Sequence, residues 1–251
     1  MKIALIGSGN VATVLGRLIV SKQHEVCQVI SRDAAHAKVL ASELGATATD
    51  FDGSPDRSAD MYIIAISDTA LDNFFVKGAI NDKIVVHTAG SVSKDVLQNF
   101  AGRYGVLYPL QTLRKEMREV PPIPLLVDGS DEATTGFIEQ FARSISENVQ
   151  RMGDEQRLKL HAAAVIVSNF TNHLYAIAED FCEKESVDFD MLKPLILETA
   201  LRIYQASPAK VQTGPAIRKD IHTLDKHLRL FTAHPKLRTM YLRLTDSIMN
   251  P

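Results

Sequence analysis

The chain has 251 residues, 45% of them hydrophobic and 23% charged, with a formal net charge of −2. These are the proportions of an ordinary globular protein, long enough for one large domain or two smaller ones. They give no electrostatic reason to expect nucleic acid or a membrane surface as partner. Cys27 and Cys182 belong to no CxxC pair or metal-ligand spacing, which argues against a disulfide framework and fits a reducing, cytoplasmic setting.

The chain opens on an apolar run with strand character, residues 2–6. It passes directly into Gly7-Ser8-Gly9-Asn10-Val11-Ala12, a GxGxxA pattern, and then into a helix expected over 10–21. Each small residue has a physical use in a phosphate-binding turn. Gly7 permits the tight bend, Gly9 lets the backbone approach a pyrophosphate, and Ala12 lets the helix lie close to the strand. The helix start offers free N–H donors and the positive end of its dipole. Alone the pattern is weak; its place between a strand and a helix makes it specific. Gly7, Ser8, Gly9, Asn10, Val11 and Ala12 are therefore expected to hold a dinucleotide.

A second strand, 25–30, ends in Ser31-Arg32-Asp33. Sites for NAD usually place an acidic residue there to bind the ribose hydroxyls. Ser31 and Arg32 instead offer a hydroxyl and a guanidinium, which suit a 2′-phosphate, so the expected cofactor is NADP(H). Asp33 lies one position late and is expected to cap a helix over 34–44. A turn-rich loop, 50–58, precedes a strand at 61–66, a helix at 70–79, a strand at 83–87 and a helix at 94–101. Strands at 105–108 and 124–127, a helix at 132–146 and a strand at 148–152 complete the alternation. Ligands of open parallel sheets lie beyond the carboxyl ends of the strands. That directs Ile66, Ser67, Asp68 and Thr88, with His87 and the turn 108–112, toward the nicotinamide half. Capping of the next helix is an equal alternative for Ser67 and Asp68.

Beyond residue 153 the strand-like runs stop. Helices are expected over 154–184, 191–205, 216–230 and 235–249, with Asp154 as N-cap of the first. The change of pattern divides the chain into a Rossmann-type α/β domain, 1–152, and an all-helical domain, 153–251. Residues 160–178 contain no Asp, Glu, Lys or Arg. Their asparagines and histidines would be costly in lipid, so the segment reads as a buried helix and not as a membrane span. At 100° per residue His161, Ser168 and Asn172 fall within about 40° of one another. That stripe, with Asn169, is the expected substrate face. His161 is the expected proton donor, because imidazole titrates near neutral pH, and Asn169 and Asn172 would orient the substrate. Mutual satisfaction of these groups, or pairing across a dimer interface, is the structural alternative. The segment QTGPAIRKD, 212–220, enters the third helix with Arg218 as a candidate anion clamp beside Asp220. His222 and His227 have no carboxylate or Cys at a recognisable spacing, so no metal site is expected.

The stretches GSGNVA, ADMYIIAISD, VVHTAGS, GVLYPLQT, AAVIVSNFTNHLYA and QTGPAIRKD together resemble the superfamily of ketopantoate reductase, pyrroline-5-carboxylate reductase and prephenate dehydrogenase. More closely, the chain resembles a family of NADP oxidoreductases that join a Rossmann domain to a helical C-terminal domain of unknown function. The resemblance implies a mostly parallel sheet followed by an all-α domain of the 6-phosphogluconate dehydrogenase C-terminal-like class. It also implies an NADP-linked reductase or dehydrogenase, and a homodimer formed through the helical domain; it implies no particular substrate. In one respect the chain departs from the hydroxyacid dehydrogenases of the wider superfamily. These carry a Lys followed four residues later by Asn on the first helix after the Rossmann domain. Here Lys159 is followed at that spacing by Ala163, and His161 by Val165, so the lysine acid/base mechanism does not carry over.

The expected activity is hydride transfer between NADP(H) and a small carbonyl, imine or hydroxy-acid substrate held between the domains. The rival expectation is a non-catalytic NADP(H) sensor whose helical domain binds a partner.

Overall fold

The first strand, β1 (Lys2–Ile6), is buried after Lys2, as a strand covered on both faces must be. It leads into α1 (Asn10–Ser21), β2 (Glu25–Ile30), α2 (Ala34–Leu44) and a short β3 (Thr47–Thr49). Next come β4 (Met61–Ile64), α3 (Asp68–Leu71), β5 (Ile84–His87) and a 3-10 turn, Lys94–Leu97. The remaining elements of this half are β6 (Arg103–Pro109), β7 (Leu125–Gly129), α4 (Glu132–Ile145), β8 (Val149–Arg151) and α5 (Asp154–Ala164). The structure is a computed structural model that describes residues 1–71, 80–117 and 119–250.

The strands form one eight-stranded sheet in the order β3-β2-β1-β4-β5-β6-β7-β8. All neighbours run parallel except β6 and β7. Side chains alternate between two cores. Ile3 and Leu5 pack on one face with Val14, Leu40 and Phe141, while Ala4, Ile6, Tyr62 and Ile64 pack on the other with Leu71 and Leu97. This is the period-two pattern of a strand buried on both sides. From β1 the chain first builds outward through β2 and β3, then returns to add β4 on the other side. Such a reversal opens a crevice at the strands' carboxyl ends.

Local chemistry ends the helices as expected in several places. The Asp33 carboxylate accepts from the backbone N–H groups of Ala35 (2.8 Å) and His36 (3.1 Å), so it caps α2. Gly45, at φ 70°, closes the same helix in the left-handed region. Other expectations need correction. The helix read over 94–101 is only the 3-10 turn, and residues 72–79 of the helix read over 70–79 lie outside the described residues. The three-residue β3 is too short for its periodicity to stand out.

The chain divides into two compact units, Met1–Ile166 and Val167–Pro251. Helix α5 is continued by a π-helical segment, Val165–Phe170, and by α6 (Thr171–Lys184). A 3-10 turn then precedes α7 (Lys193–Gln205), followed by α8 (Ile221–Leu230) and α9 (Pro235–Met249). The expected helix over 216–230 starts late. Asp220 caps α8 by accepting from the Thr223 N–H (3.1 Å) and hydroxyl (2.8 Å), leaving Pro215 in a preceding turn. Inside the second unit Phe181, Phe231 and Tyr241 pack edge to face, and Tyr241 is hydrogen-bonded to His227 at 2.7 Å. Among the described residues no helix is long and apolar enough to cross a membrane.

Candidate functional site

A cleft of about 660 Å³ opens where β1, β2 and β4 end. It is lined by Gly7 to Val11 from the first loop, by Ser31 and Arg32 after β2, and by Ile66 and Ser67 after β4. The two loop glycines have separate physical reasons. Gly7 sits at φ 121°, and a Cβ there would fall 2.2 Å from the Ala65 carbonyl oxygen, so the close passage of β4 demands glycine. Gly9 has ordinary extended backbone, and a Cβ there would meet nothing within 4 Å. The space in front of Gly9 is therefore open, and the first turn of α1 carries no side-chain cap. An uncapped helix start behind a bare backbone suits a pyrophosphate, and the cleft is of the size expected for a cofactor-sized ligand.

Other side chains tie the cleft together. The Ser8 and Ser31 hydroxyls are 2.8 Å apart and join the first loop to the end of β2. Ser31 is buried, while Arg32 is exposed at the rim. The Asn10 Oδ1 accepts from the Lys115 backbone N–H (3.2 Å), and Arg17 donates to the Lys115 carbonyl (2.6 Å). Asn10 thus anchors the segment after β6 to α1 as well as lining the cleft.

Ala12 is wholly buried on the inner face of α1, where a small residue lets the helix lie close to the sheet. Two residues expected toward the nicotinamide half lie outside the cleft lining. Asp68 accepts a hydrogen bond from the Ser91 hydroxyl, and the buried Thr88 hydroxyl donates to the Ile64 carbonyl (3.3 Å). Both join loops at the strand ends and do not line the cleft. Conversely, His36, Phe51, Ala65 and Ala70 line it without having been picked out in the sequence. His36 follows the capping Asp33 by three residues, and Phe51 is the lone aromatic in the turn-rich 50–58 loop. Those are weak signals.

A second constellation gathers at the ends of β5 and β6. Tyr108 Oη lies 2.9 Å from His161 Nδ1, with the rings edge to face. Beneath them runs Gly90. A Cβ there would lie 2.6 Å from His161 Nδ1 and 2.8 Å from Tyr108 Cζ, so the loop passes this close only as glycine. Burial, with the Asp68 carboxylate nearby, pushes the Tyr108 phenol above its usual range. His87 is wholly buried. Its Nε2 donates to the Ser93 carbonyl (3.2 Å) and its Nδ1 accepts from the Ala89 N–H (3.1 Å), which is a neutral imidazole. Burial, with the Arg157 cation close by, holds its pKa down to about 4.

Asp154 is not the cap of α5; that position belongs to Gly153. The carboxylate turns outward from the first helical turn to accept from the Ser93 hydroxyl and from Arg157 (2.7 Å). The stripe expected along residues 160–178 also changes. His161 is half-buried in the first unit, whereas Asn169 and Asn172 are exposed residues of the second. The segment between them is π-helical, so the constant 100° per residue that such a projection assumes does not hold through it. None of residues 160–178 is buried in this chain, which corrects the reading of a buried helix. Among the described residues no His, Cys, Asp and Glu group has the makings of a metal site.

The family described as NADP oxidoreductase, coenzyme F420-dependent, matches residues 2–91, and the domain of unknown function DUF2520 matches residues 123–248. A Bacteroides fragilis protein provisionally assigned as an NADP oxidoreductase, BF3122, is 36% identical over 100% of this chain and 98% of its own, with a TM-score of 0.91. The chain belongs to this NADP oxidoreductase family. The resemblance read from its sequence motifs is therefore correct, as is a Rossmann-type domain followed by a helical one. Two further structures share the fold at low identity. Pyrroline-5-carboxylate reductase from Streptococcus pyogenes is 13% identical, with 100% of this chain and 99% of that one covered and a TM-score of 0.62. A reductive aminase from Aspergillus terreus, in complex with NADPH and ethyl levulinate, is 17% identical, with 98% and 92% covered and a TM-score of 0.69. No curated protein matches this family member.

Proposed function

We propose that the protein transfers hydride between NADP(H) and a small carbonyl, imine or hydroxy-acid substrate. The observation that carries this reading is the open space in front of Gly9 at the sheet's reversal point, in a member of an NADP oxidoreductase family. Gly9, Asn10 and Val11 present backbone donors to the pyrophosphate, and Ser31 and Arg32 receive the 2′-phosphate. Gly7 and Ala12 serve by packing, Ser8 by its bond to Ser31, and Ile66 and Ser67 as the wall after β4. The bound cofactor supplies or accepts the hydride.

The chain's own part in the reaction is to orient the substrate and to hold a proton. In the reducing direction the substrate carbon gains hydride, and its oxygen or nitrogen takes a proton from His161. Tyr108 holds Nδ1 of that ring, which leaves Nε2 to meet the substrate. The Asp68–Ser91 hydrogen bond ties the end of the cleft to the loop beneath this pair. Asn169 and Asn172 remain candidates for orienting the substrate.

The helical unit favours self-association. No residue of α7 is buried, and Leu195, Leu197, Leu201 and Tyr204 are exposed. So much apolar surface on one helix fits a homodimer formed through the helical domain. Sedimentation of the intact chain as a monomer at micromolar concentration would remove that part of the proposal.

The activity is tested by following NADPH oxidation against a library of ketones and imines, with His161→Asn alongside. Turnover that falls in the variant while NADPH binding persists supports the reading. Tight NADPH binding without turnover of any compound would favour a binding protein instead.

A further inference from the structure

Arg157 is the largest fully buried side chain among the described residues, 1% exposed, and sits on α5 one turn before His161. Its Nη2 donates to the Val92 carbonyl and to Asp154 Oδ1. Its Nε and Nη1 are buried without a hydrogen-bond partner among the described residues. A guanidinium placed for its own stability would have those donors satisfied, and an apolar side chain of similar volume is often the more stable choice at such a site. What a cation contributes here is the geometry of the groups it holds.

Those groups belong to the loop under the Tyr108–His161 pair, and almost every residue of that loop is anchored. The Thr88 hydroxyl bonds the Ile64 carbonyl, and the Ala89 N–H bonds His87. The Ser91 hydroxyl bonds Asp68, and the Ser93 carbonyl accepts from His87 while its hydroxyl reaches Asp154. Gly90, which has no such anchor among the described residues, is the residue on which a Cβ would meet His161 and Tyr108. Most of these anchors come from the sheet. The links to α5, the helix that carries His161, run through Arg157 to Val92 and through Asp154 to Ser93.

We propose that Arg157 is a positioning residue: with Asp154 it fastens the 88–93 loop to the first turn of α5 and so sets His161 over Gly90, in hydrogen-bond register with Tyr108. The two residues are four apart on the helix and share a face, so a shift at one is transmitted to the other. The inference rests on the proposed catalytic role of His161 only for its consequence in turnover.

The test uses the full-length protein saturated with NADPH and carrying 15N-labelled histidine, as wild type, Arg157→Met, Arg157→Lys and Asp154→Ala. The readout is the pair of ring-nitrogen shifts of His161, with Tyr108→Phe as the reference for a lost hydrogen bond. We expect Arg157→Met to move the Nδ1 signal in the same direction as Tyr108→Phe, and Arg157→Lys to move it less. NADPH affinity should stay within about twofold, because the Gly9 loop is untouched, while kcat on any substrate found falls roughly tenfold or more at similar KM. Unchanged His161 shifts in folded Arg157→Met would overturn the proposal. Should that variant fail to fold, Asp154→Ala decides, because it removes the Ser93 link and the oxygen that holds Arg157 Nη2 while keeping the buried cation; unchanged shifts there overturn the proposal equally. Shifts that move while kcat holds would leave Arg157 a positioning residue and remove His161 from the proposed chemistry.

Discussion

Tyr108 and His161 meet through a 2.9 Å hydrogen bond although 53 residues separate them, and Gly90 is the floor on which they meet. Tyr108 comes from the end of β6 and His161 from the last turn of α5. The fit leaves no room for one methyl group on the loop below.

The first prediction follows directly. Gly90→Ala places a Cβ 2.6 Å from His161 Nδ1, and the imidazole, being the far end of a side chain, is the group that gives way. Loss of the Tyr108 hydrogen bond is expected with a stability change of only about 1 kcal/mol. Histidine ring NMR and a denaturant melt check the two halves separately. An unchanged His161 signal would show that the loop moves instead.

Gly7 and Gly9 should behave oppositely. Gly7→Ala combines a positive φ with a 2.2 Å approach to the Ala65 carbonyl, and should cost about 3 kcal/mol or more. Gly9→Ala meets no atom and keeps ordinary extended backbone, so stability should stay within about 1 kcal/mol. NADPH affinity should nonetheless fall roughly tenfold or more, because the added methyl occupies the space proposed for the pyrophosphate. Urea titration and fluorescence binding on both variants test the pair. A Gly9→Ala protein that binds NADPH normally would place the cofactor elsewhere.

Arg32→Ala removes the exposed guanidinium at the cleft rim. A charge-assisted bond to a 2′-phosphate contributes about 1.5–3 kcal/mol, so NADPH affinity should drop roughly 10–100-fold while NADH affinity hardly changes. Equal losses for both nucleotides would remove Ser31-Arg32 as the basis for choosing NADP.

His87 supplies a pH dependence whose sign is set by its environment. Its folded pKa, about 4, lies below the usual 6.5, so the unfolded chain binds the proton more readily between those values. The folded state is therefore favoured above pH 6.5 and loses that advantage as pH falls through the window toward 4. Between pH 7.5 and 5 the loss attributable to this group is about 2 kcal/mol. Denaturant melts of wild type and His87→Leu over that range check it. The variant should start less stable, since the Ser93 carbonyl loses its donor, yet show the shallower slope.

The parts of the site legible in the sequence are those built from neighbours in the chain. The GxGxxA turn, the Ser31-Arg32 strand end and the Asp33 cap each lie within a few residues of one another, and short runs buried almost throughout mark β1, β2 and β4. The apolar spacing over 94–101 fits a helix, but the backbone forms only the 3-10 turn Lys94–Leu97. The stripe through His161, Ser168 and Asn172 rests on a constant angle per residue that the π-helical segment Val165–Phe170 does not keep.

Residue order and type were enough to determine the α/β layout, the glycine loop and the family, because strand period, turn chemistry and helix capping act over short stretches of chain. Tertiary structure alone decided what stands opposite what. It set Ala65 against Gly7, brought Tyr108 to His161 over Gly90, and buried Arg157 against a carbonyl 65 residues away. Such pairs are fixed by how the sheet orders its strands and how closely the layers pack, and no local pattern encodes that distance.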